Sequence, residues 1–352
     1  MRLLAPAKIN LHLRVGPARA DGFHPLVSWM ATVGLFDNLV LESTKPATAQ
    51  SRRGTGAGSG TDAGNTGSGI GGRSAPVALT CDLPGLPCDE RNLVVRIALA
   101  FGEAVRSGKS AVPINGHPGD QPRRTVGLGE PVEDTGIRAT LQKRIPVGAG
   151  LGGGSSDAAR TLLALNQLWE AEWAADVLSA FAARFGSDLS FFVYGPSSVC
   201  RGRGEVVVPI ARPTPGWAVL VLPKLSMPTA EVYRRFDQMK LGRASDVSDE
   251  PDWNQWTRLN SLELLPKLVN DLEAPAFAIA PQLGELRARV EELLGRPVRM
   301  SGSGSSLFTL FDTESEAKDA SARIVRDTNE IAPAVELSPV VRDDLNEGFT
   351  NR

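Results

Sequence analysis

The stretch PVGAGLGGGSSDAA, residues 146–159, holds five glycines in seven positions (148–154), then two serines, then a helical pattern. Ahead of it, Ile137, Ala139 and Leu141 alternate with polar residues as a strand does. Behind it, Ala158, Leu162, Leu165 and Trp169 fall on one helical face. Loop glycines let a backbone turn sharply and present N–H groups, and a helix N-terminus adds the positive end of its dipole. That combination makes an anion site, most often for phosphate, and Ser155 or Ser156 would serve as the helix N-cap. A glycine-rich turn with a serine cap and no ligand is the plain alternative.

Several nucleotide loops can be compared with it. A Walker A loop needs G-x-x-x-x-G-K-[ST], and no lysine follows these glycines. A protein kinase needs H-R-D and D-F-G elements, and neither occurs. Gly148, Gly150 and Gly153 do satisfy G-x-G-x-x-G, but the loop is mid-chain and no clear βαβ unit with a ribose-binding acid follows it.

The chain around the loop has 352 residues, 42% of them apolar and 22% charged, with a net charge of −2. Its length suits two domains. The charge balance argues against a nucleic-acid partner, and no apolar run nears the ~18 residues of a membrane span. The N-terminus alternates and carries charge, unlike a signal peptide, so a cytoplasmic protein is expected. Cys81, Cys88 and Cys200 lack zinc-site spacing and read as reduced thiols. His12, His24 and His117 are too scattered for a metal cluster.

Nine of the 22 residues over 51–72 are glycine, so 45–76 reads as a flexible surface insertion. A second Pro- and Gly-rich stretch covers 107–136. Elsewhere Ile9, Leu11, Leu13 and Val15 alternate with Lys8, Asn10, His12 and Arg14, which predicts a half-buried strand. Helices are expected over 89–104 and around 283–293, and a short apolar strand over 217–222. Strands and helices alternate irregularly, which fits α+β, with a boundary near 205.

With these elements placed, the loop resembles the second motif of the GHMP kinase superfamily. PAKINLHL (6–13) resembles the first motif and SGSGSSLF (301–308) the third, in the family's order. Finer segments, RADGFHPL (19–26), ERNLVVRIA (90–98), FGSDLSFFV (185–193), LSMPTAEVY (225–233) and NDLE (270–273), resemble the branch that phosphorylates 4-diphosphocytidyl-2-C-methyl-D-erythritol. The resemblance implies a two-domain GHMP kinase fold. A ribosomal-S5-like domain 2 would span 1–205 and a ferredoxin-like α/β sandwich 206–345.

It also implies an activity and a site. ATP would phosphorylate the 2-hydroxyl of that cytidine-diphosphate-linked substrate, in a monomer or homodimer. Asp188 is the implied base and Lys8 its partner, polarising the hydroxyl. Read alone, Asp188 is a helix cap and Lys8 a solvated strand residue. The ATP cradle would be Pro146, Val147, Gly148, Ala149, Gly150, Leu151, Gly152, Gly153, Gly154, Ser155 and Ser156, with Asn92 on the adenine or ribose side. Phe23 and Tyr233 would sandwich the cytosine, with His24 and Lys143 contacting the base. Asn10 and Thr229 would face the diphosphate or methylerythritol end, and Mg2+ would use a hydroxyl of Ser155 or Ser156. The rivals are a homoserine or mevalonate type of kinase, which should lack DGFH, and a catalytically silent relative, which would not need both Lys8 and Asp188.

Overall fold

The computed structural model of the chain describes residues 1–44, 77–107 and 136–347. The insertion expected over 45–76, and all of the second polar stretch except Ser107 and Gly136, lie outside these residues.

A first sheet is built on β1 (Arg2–Val15) and β2 (Leu26–Thr44), antiparallel along their length. β3 (Val77–Cys81), β4 (Gly136–Gln142), β5 (Ser197–Gly202) and β6 (Val206–Pro209) complete it in the order β3-β4-β2-β5-β6, with β1 on β2. At 19 residues, β2 takes two further partners: β4 pairs with its end from Asn38 and β5 with its start up to Ala31. The glycine loop leaves β4 at the gap between them.

Helices α1 (Leu93–Arg106), α2 (Gly153–Leu168), α3 (Ala175–Ala182) and α4 (Ser187–Tyr194) belong to this half. Leu39 and Leu41 of β2 pack there against Ile97, Phe101, Leu162 and Phe181. The helix expected over 89–104 begins only at Leu93. Asn92 is its N-cap and accepts from the Val94 N–H, which fixes the start.

The second sheet has the order β10-β7-β9-β8. β7 (Trp217–Val221) is followed by α5 (Thr229–Gln238), three short turns α6 (Ala244–Ser248), α7 (Trp253–Trp256) and α8 (Ser261–Leu264), then α9 (Glu273–Ile279) and α10 (Pro281–Leu294). β8 (Arg299–Met300), β9 (Leu307–Phe311), α11 (Glu314–Thr328) and β10 (Ala334–Glu336) close a β-α-β-β-α-β path. Both halves mix helices with a sheet, as the α+β expectation has it.

The two sheets share one apolar layer, in which Ile9, Leu11 and Trp29 of the first meet Leu220, Phe308 and Leu310 of the second. Burying each such large side chain contributes roughly 2–3 kcal/mol. The halves therefore cannot part cheaply. β6 pairs with β5, so the chain changes sheets after Pro209, close to the boundary expected near 205. The segment near 343 returns to the first half, where Asp343 accepts the Leu4 N–H at 2.9 Å and pairs with Arg160.

β1 is not the half-buried strand expected. Ala7, Ile9 and Leu11 face the shared layer and Leu13 and Val15 the core of the second half, yet Lys8, Asn10 and His12 are only 4%, 3% and 5% exposed. Alternation predicts two faces, but it cannot reveal that the polar face is roofed by other parts of the chain. Among the described residues no helix is long and apolar enough to cross a membrane.

His12 lies edge-on to Trp253 and Trp256, and its Nδ1 accepts the Val269 N–H at 3.2 Å. Burial, with Arg14 adding to it, pushes its pKa down to about 4. The unfolded imidazole titrates near ~6.5, so between these values the unfolded chain binds more protons. This contribution is full above pH ~6.5 and drains, by about 3 kcal/mol, as pH falls towards 4. His12→Asn keeps an acceptor near Nδ1 without the titration. In urea unfolding, the stability gap between wild type and His12→Asn should be wider at pH 7.5 than at pH 4.5.

Candidate active site

The glycine loop forms one wall of a cleft of about 450 Å³, with Lys8, Asp188, Thr229 and Tyr233 elsewhere on its lining. The loop's carbonyls are turned away from that space. Gly148 O accepts from Met227 N (3.4 Å), Ala149 O from Ser306 N (3.1 Å), Gly150 O from Ser301 Oγ (3.0 Å) and Leu151 O from Lys8 N (2.9 Å). Four consecutive acceptors are thus satisfied inside the protein. Peptide planes fixed this way leave their N–H groups for an anion, beside the unsatisfied N–H groups of the first turn of α2.

Close packing enforces the arrangement. Gly150 has φ +77°, and a Cβ there would lie 2.3 Å from the carbonyl oxygen of Ser301. The third motif is therefore the floor against which the loop is pressed. Asn270 ties that floor down, donating through Nδ2 to Met300 O (2.7 Å) and Gly302 O (2.8 Å).

The helix start differs from expectation. Gly152 is the N-cap of α2 and provides no side chain, so neither serine caps it. Ser155 lines the cleft. Ser156 is sealed inside, fully buried, with an unpartnered Oγ.

A buried charge cluster ties the two ends of the loop together. Lys143, just before it, donates Nζ to Asp37 of β2 and to Asp157 of α2 at 2.8 Å, and all three side chains are at most 5% exposed. Asp37 Oδ1 also accepts the N–H groups of Arg144 (2.5 Å) and Ile145 (2.9 Å). Burial works against the Lys143 charge, but the two carboxylates outweigh it and its pKa rises. Burial pushes the Asp157 carboxyl up. Lys143 pulls it back down in part, and the neighbouring Asp37 adds to the rise. Lys143, expected to contact a base, does lie on the cleft lining, with its ammonium held by Asp37 and Asp157. The sequence carried a signal for this cluster: Asp37 directly follows the apolar pair Leu35-Phe36 within β2, and Asp157 follows the serine pair.

Across the cleft, Lys8 Nζ stands 3.5 Å from Asp188 Oδ2, bringing together residues 180 positions apart. Lys8 is 4% exposed and the Asp188 side chain 33%, so the carboxylate can be reached from solvent. Asp188 sits in the first turn of α4, whose N-cap is Gly186, so it is not the cap. Tyr233 rises to about 12 through burial and then the Asp188 charge, and so remains a neutral phenol.

The remaining expected residues divide. Thr229 lies on the cleft with its hydroxyl 2.8 Å from that of Ser303. Asn92 also lines it, but its amide is used for the α1 cap and for Pro87 O at 2.8 Å. Asn10 is off the lining, its amide held between Lys8 Nζ (2.6 Å) and Ser28 Oγ (2.8 Å). His24 packs beside Tyr233, ring centres 5.2 Å apart, with Nδ1 on Gly16 O (2.9 Å) and Nε2 3.3 Å from Asp237. Phe23 is 49% exposed under the Arg203 guanidinium and is not on the cleft lining, whereas Tyr233 is. Among the described residues no three His, Cys, Asp or Glu cluster as metal ligands.

A second hollow, about 640 Å³, is lined by Arg14, Lys240, Arg243, Asp246, Asp271 and Glu273 among others. Its carboxylates are already engaged: Asp246 and Asp271 by Arg14, Glu273 by Arg287 and the Met300 N–H. Lys8 and Asp188 line the smaller cleft.

Comparisons with known proteins show the family. Residues 92–196 match the GHMP kinases N terminal domain and residues 254–330 the GHMP kinases C terminal domain. A 4-diphosphocytidyl-2-C-methyl-D-erythritol kinase from Thermus thermophilus is 36% identical over 320 residues, covering 91% of each chain. One of the same name from Desulfotalea psychrophila is 32% identical over 312 residues, covering 88% of this chain and 85% of its own. The crystal structure of a 4-(cytidine 5'-diphospho)-2C-methyl-D-erythritol kinase superposes with a TM-score of 0.65 at 34% identity, over 97% of this chain and 100% of that one. A homoserine kinase from Cytophaga hutchinsonii, at 17% identity and a TM-score of 0.60 over 97% and 95%, shares the fold.

The cluster beneath the loop predicts an asymmetric mutational response. Lys143→Met leaves two buried carboxylates facing each other and should cost about 3–5 kcal/mol in urea unfolding. Asp157→Asn removes the surplus charge, keeps a hydrogen-bonding oxygen for Lys143, and should cost about 1 kcal/mol or less.

Proposed function

The chain belongs to the GHMP kinases, and from that premise we propose that it transfers the γ-phosphate of ATP to the 2-hydroxyl of 4-diphosphocytidyl-2-C-methyl-D-erythritol, a step in making isoprenoid precursors without mevalonate. One observation carries the reading: Lys8 and Asp188 meet at 3.5 Å across the cleft from a loop whose carbonyls at residues 148–151 are hydrogen-bonded inside the protein.

Phosphoryl transfer asks mainly for positioning and charge neutralisation. The loop N–H groups and the α2 N-terminus take the triphosphate. The acceptor hydroxyl enters between Lys8 and Asp188. Lys8 polarises it, the oxygen attacks the γ-phosphorus, the bond to the ADP oxygen breaks, and the hydroxyl proton passes to Asp188. The cytidine end lies towards Tyr233 and His24, beside Thr229. Stacking from Phe23 requires its ring to turn from Arg203 towards Tyr233.

Magnesium accompanies ATP in this reading. The ATP phosphates supply most of its oxygens, and the Ser155 hydroxyl is the protein oxygen that fits, since Ser156 is sealed from the cleft. When bound there, the ion would supply neutralisation of charge on the transferring phosphate. A cytoplasmic location suits a metabolic kinase.

An ATP-consumption assay over three acceptors tests the proposal. The cytidine-linked methylerythritol should be turned over, and homoserine and mevalonate should not. Turnover of homoserine alone would transfer the chain to a different branch. Asp188→Asn or Lys8→Ala should lower kcat by at least about a thousandfold with nucleotide binding and folding retained. Full activity in Asp188→Asn would remove its role as base.

Gly154 separates ligand contact from folding. It sits in the first turn of α2 and a Cβ there meets nothing within 4 Å. Gly154→Ala should raise stability by up to about 1 kcal/mol and raise the KM for ATP, because its methyl occupies the phosphate side of the cleft.

A further inference from the structure

The orientation of Lys8 is set by a chain of hydrogen bonds whose direction is fixed. Ser28, fully buried on β2, is 2.9 Å from the carbonyl of His12 and 2.8 Å from Nδ2 of Asn10. A carbonyl only accepts, so the one hydroxyl proton of Ser28 goes to His12. Ser28 is then left with lone pairs alone for Asn10, and Asn10 must present its NH2 group there. The Asn10 carbonyl is thereby forced towards Lys8, whose ammonium donates to it at 2.6 Å. A second anchor works in the same way. Ser301 gives its proton to Gly150 O (3.0 Å) and accepts the Asn10 backbone N–H (3.2 Å).

Lys8 has three protons to place. One is taken by Asn10 and one points to Asp188, which leaves one for the cleft. An Asn10 amide turned the other way would put two donors against each other at 2.6 Å and displace the ammonium.

We propose that Ser28 is a positioning residue for phosphoryl transfer, acting through the Asn10 amide to aim Lys8 at the acceptor hydroxyl. The proposal rests on the role given to Lys8 above. It assigns Asn10 to this relay and not to contact with the substrate, and it gives Ser28, which touches neither substrate nor cleft, an effect on kcat.

Ser28→Ala removes the acceptor that holds the Asn10 amide in register. On whichever acceptor the wild type phosphorylates, kcat should fall roughly ten- to a hundredfold, with the KM for ATP within about twofold. Ser28→Thr keeps the hydroxyl and should recover most of kcat. The relay also predicts non-additivity: once Asn10→Ala has been made, adding Ser28→Ala should change kcat by less than about twofold. Unchanged kcat in Ser28→Ala overturns the proposal. So do additive effects in the double variant, or a parallel loss of kcat and ATP affinity, which would mark a merely structural serine. Wild-type turnover of the cytidine-linked acceptor tests the proposed function separately, because the comparison of variants needs only some acceptor that is phosphorylated.

Discussion

A polyphosphate loop works only if its own carbonyls are kept from the anion, and here that condition is met by four inward hydrogen bonds. The donors at residues 148–151 are the backbone N–H groups of Met227, Ser306 and Lys8 and the hydroxyl of Ser301. Three of the four come from the second half of the chain, and the fourth from β1. Glycines allow the loop its shape, but these donors decide which side of the peptide plane faces the cleft. The shared apolar layer between the two sheets serves the site for this reason, since it holds the donors and the loop in one rigid frame.

β1 carries the other side of the chemistry by the same logic. Its inner edge pairs with β2, while its outer edge meets Leu151 through Lys8 N and Val269 through Leu13 N. A strand edge covered on its outer side by a loop and by the NDLE segment brings all three family motifs within hydrogen-bonding reach. Charges placed in such an interior must be paired. Lys8 finds Asp188 and Asn10, and Lys143 finds Asp37 and Asp157. One pair faces the cleft and is available for reaction. The other cluster borders the same cleft with its charges paired to one another, and ties the two ends of the loop together.

The fold class was legible because it rests on local pattern and on motifs in order, and the resemblance those motifs carry linked Lys8 with Asp188, which the fold brings to 3.5 Å. What the sequence hid were partnerships set by tertiary contact. Strand alternation assigned Lys8 and Asn10 to an open face, and nothing local announces the roof over it. Lys143 looked available for a ligand because its neutralising partners lie 106 and 14 residues away. Ser156 looked equivalent to Ser155, yet the helix turn sends one side chain inward and leaves the other on the cleft. Phe23 illustrates the opposite case. Its aromatic character is plain in the sequence, but its ring lies under Arg203 and away from the wall that Tyr233 lines.

The most direct measurement is a crystal structure with a non-hydrolysable ATP analogue and 4-diphosphocytidyl-2-C-methyl-D-erythritol both bound. The triphosphate should lie on the N–H groups of residues 148–155, with the terminal phosphate facing an acceptor hydroxyl held between Lys8 and Asp188. A triphosphate bound elsewhere, or an acceptor hydroxyl out of reach of both side chains, would contradict the site described here.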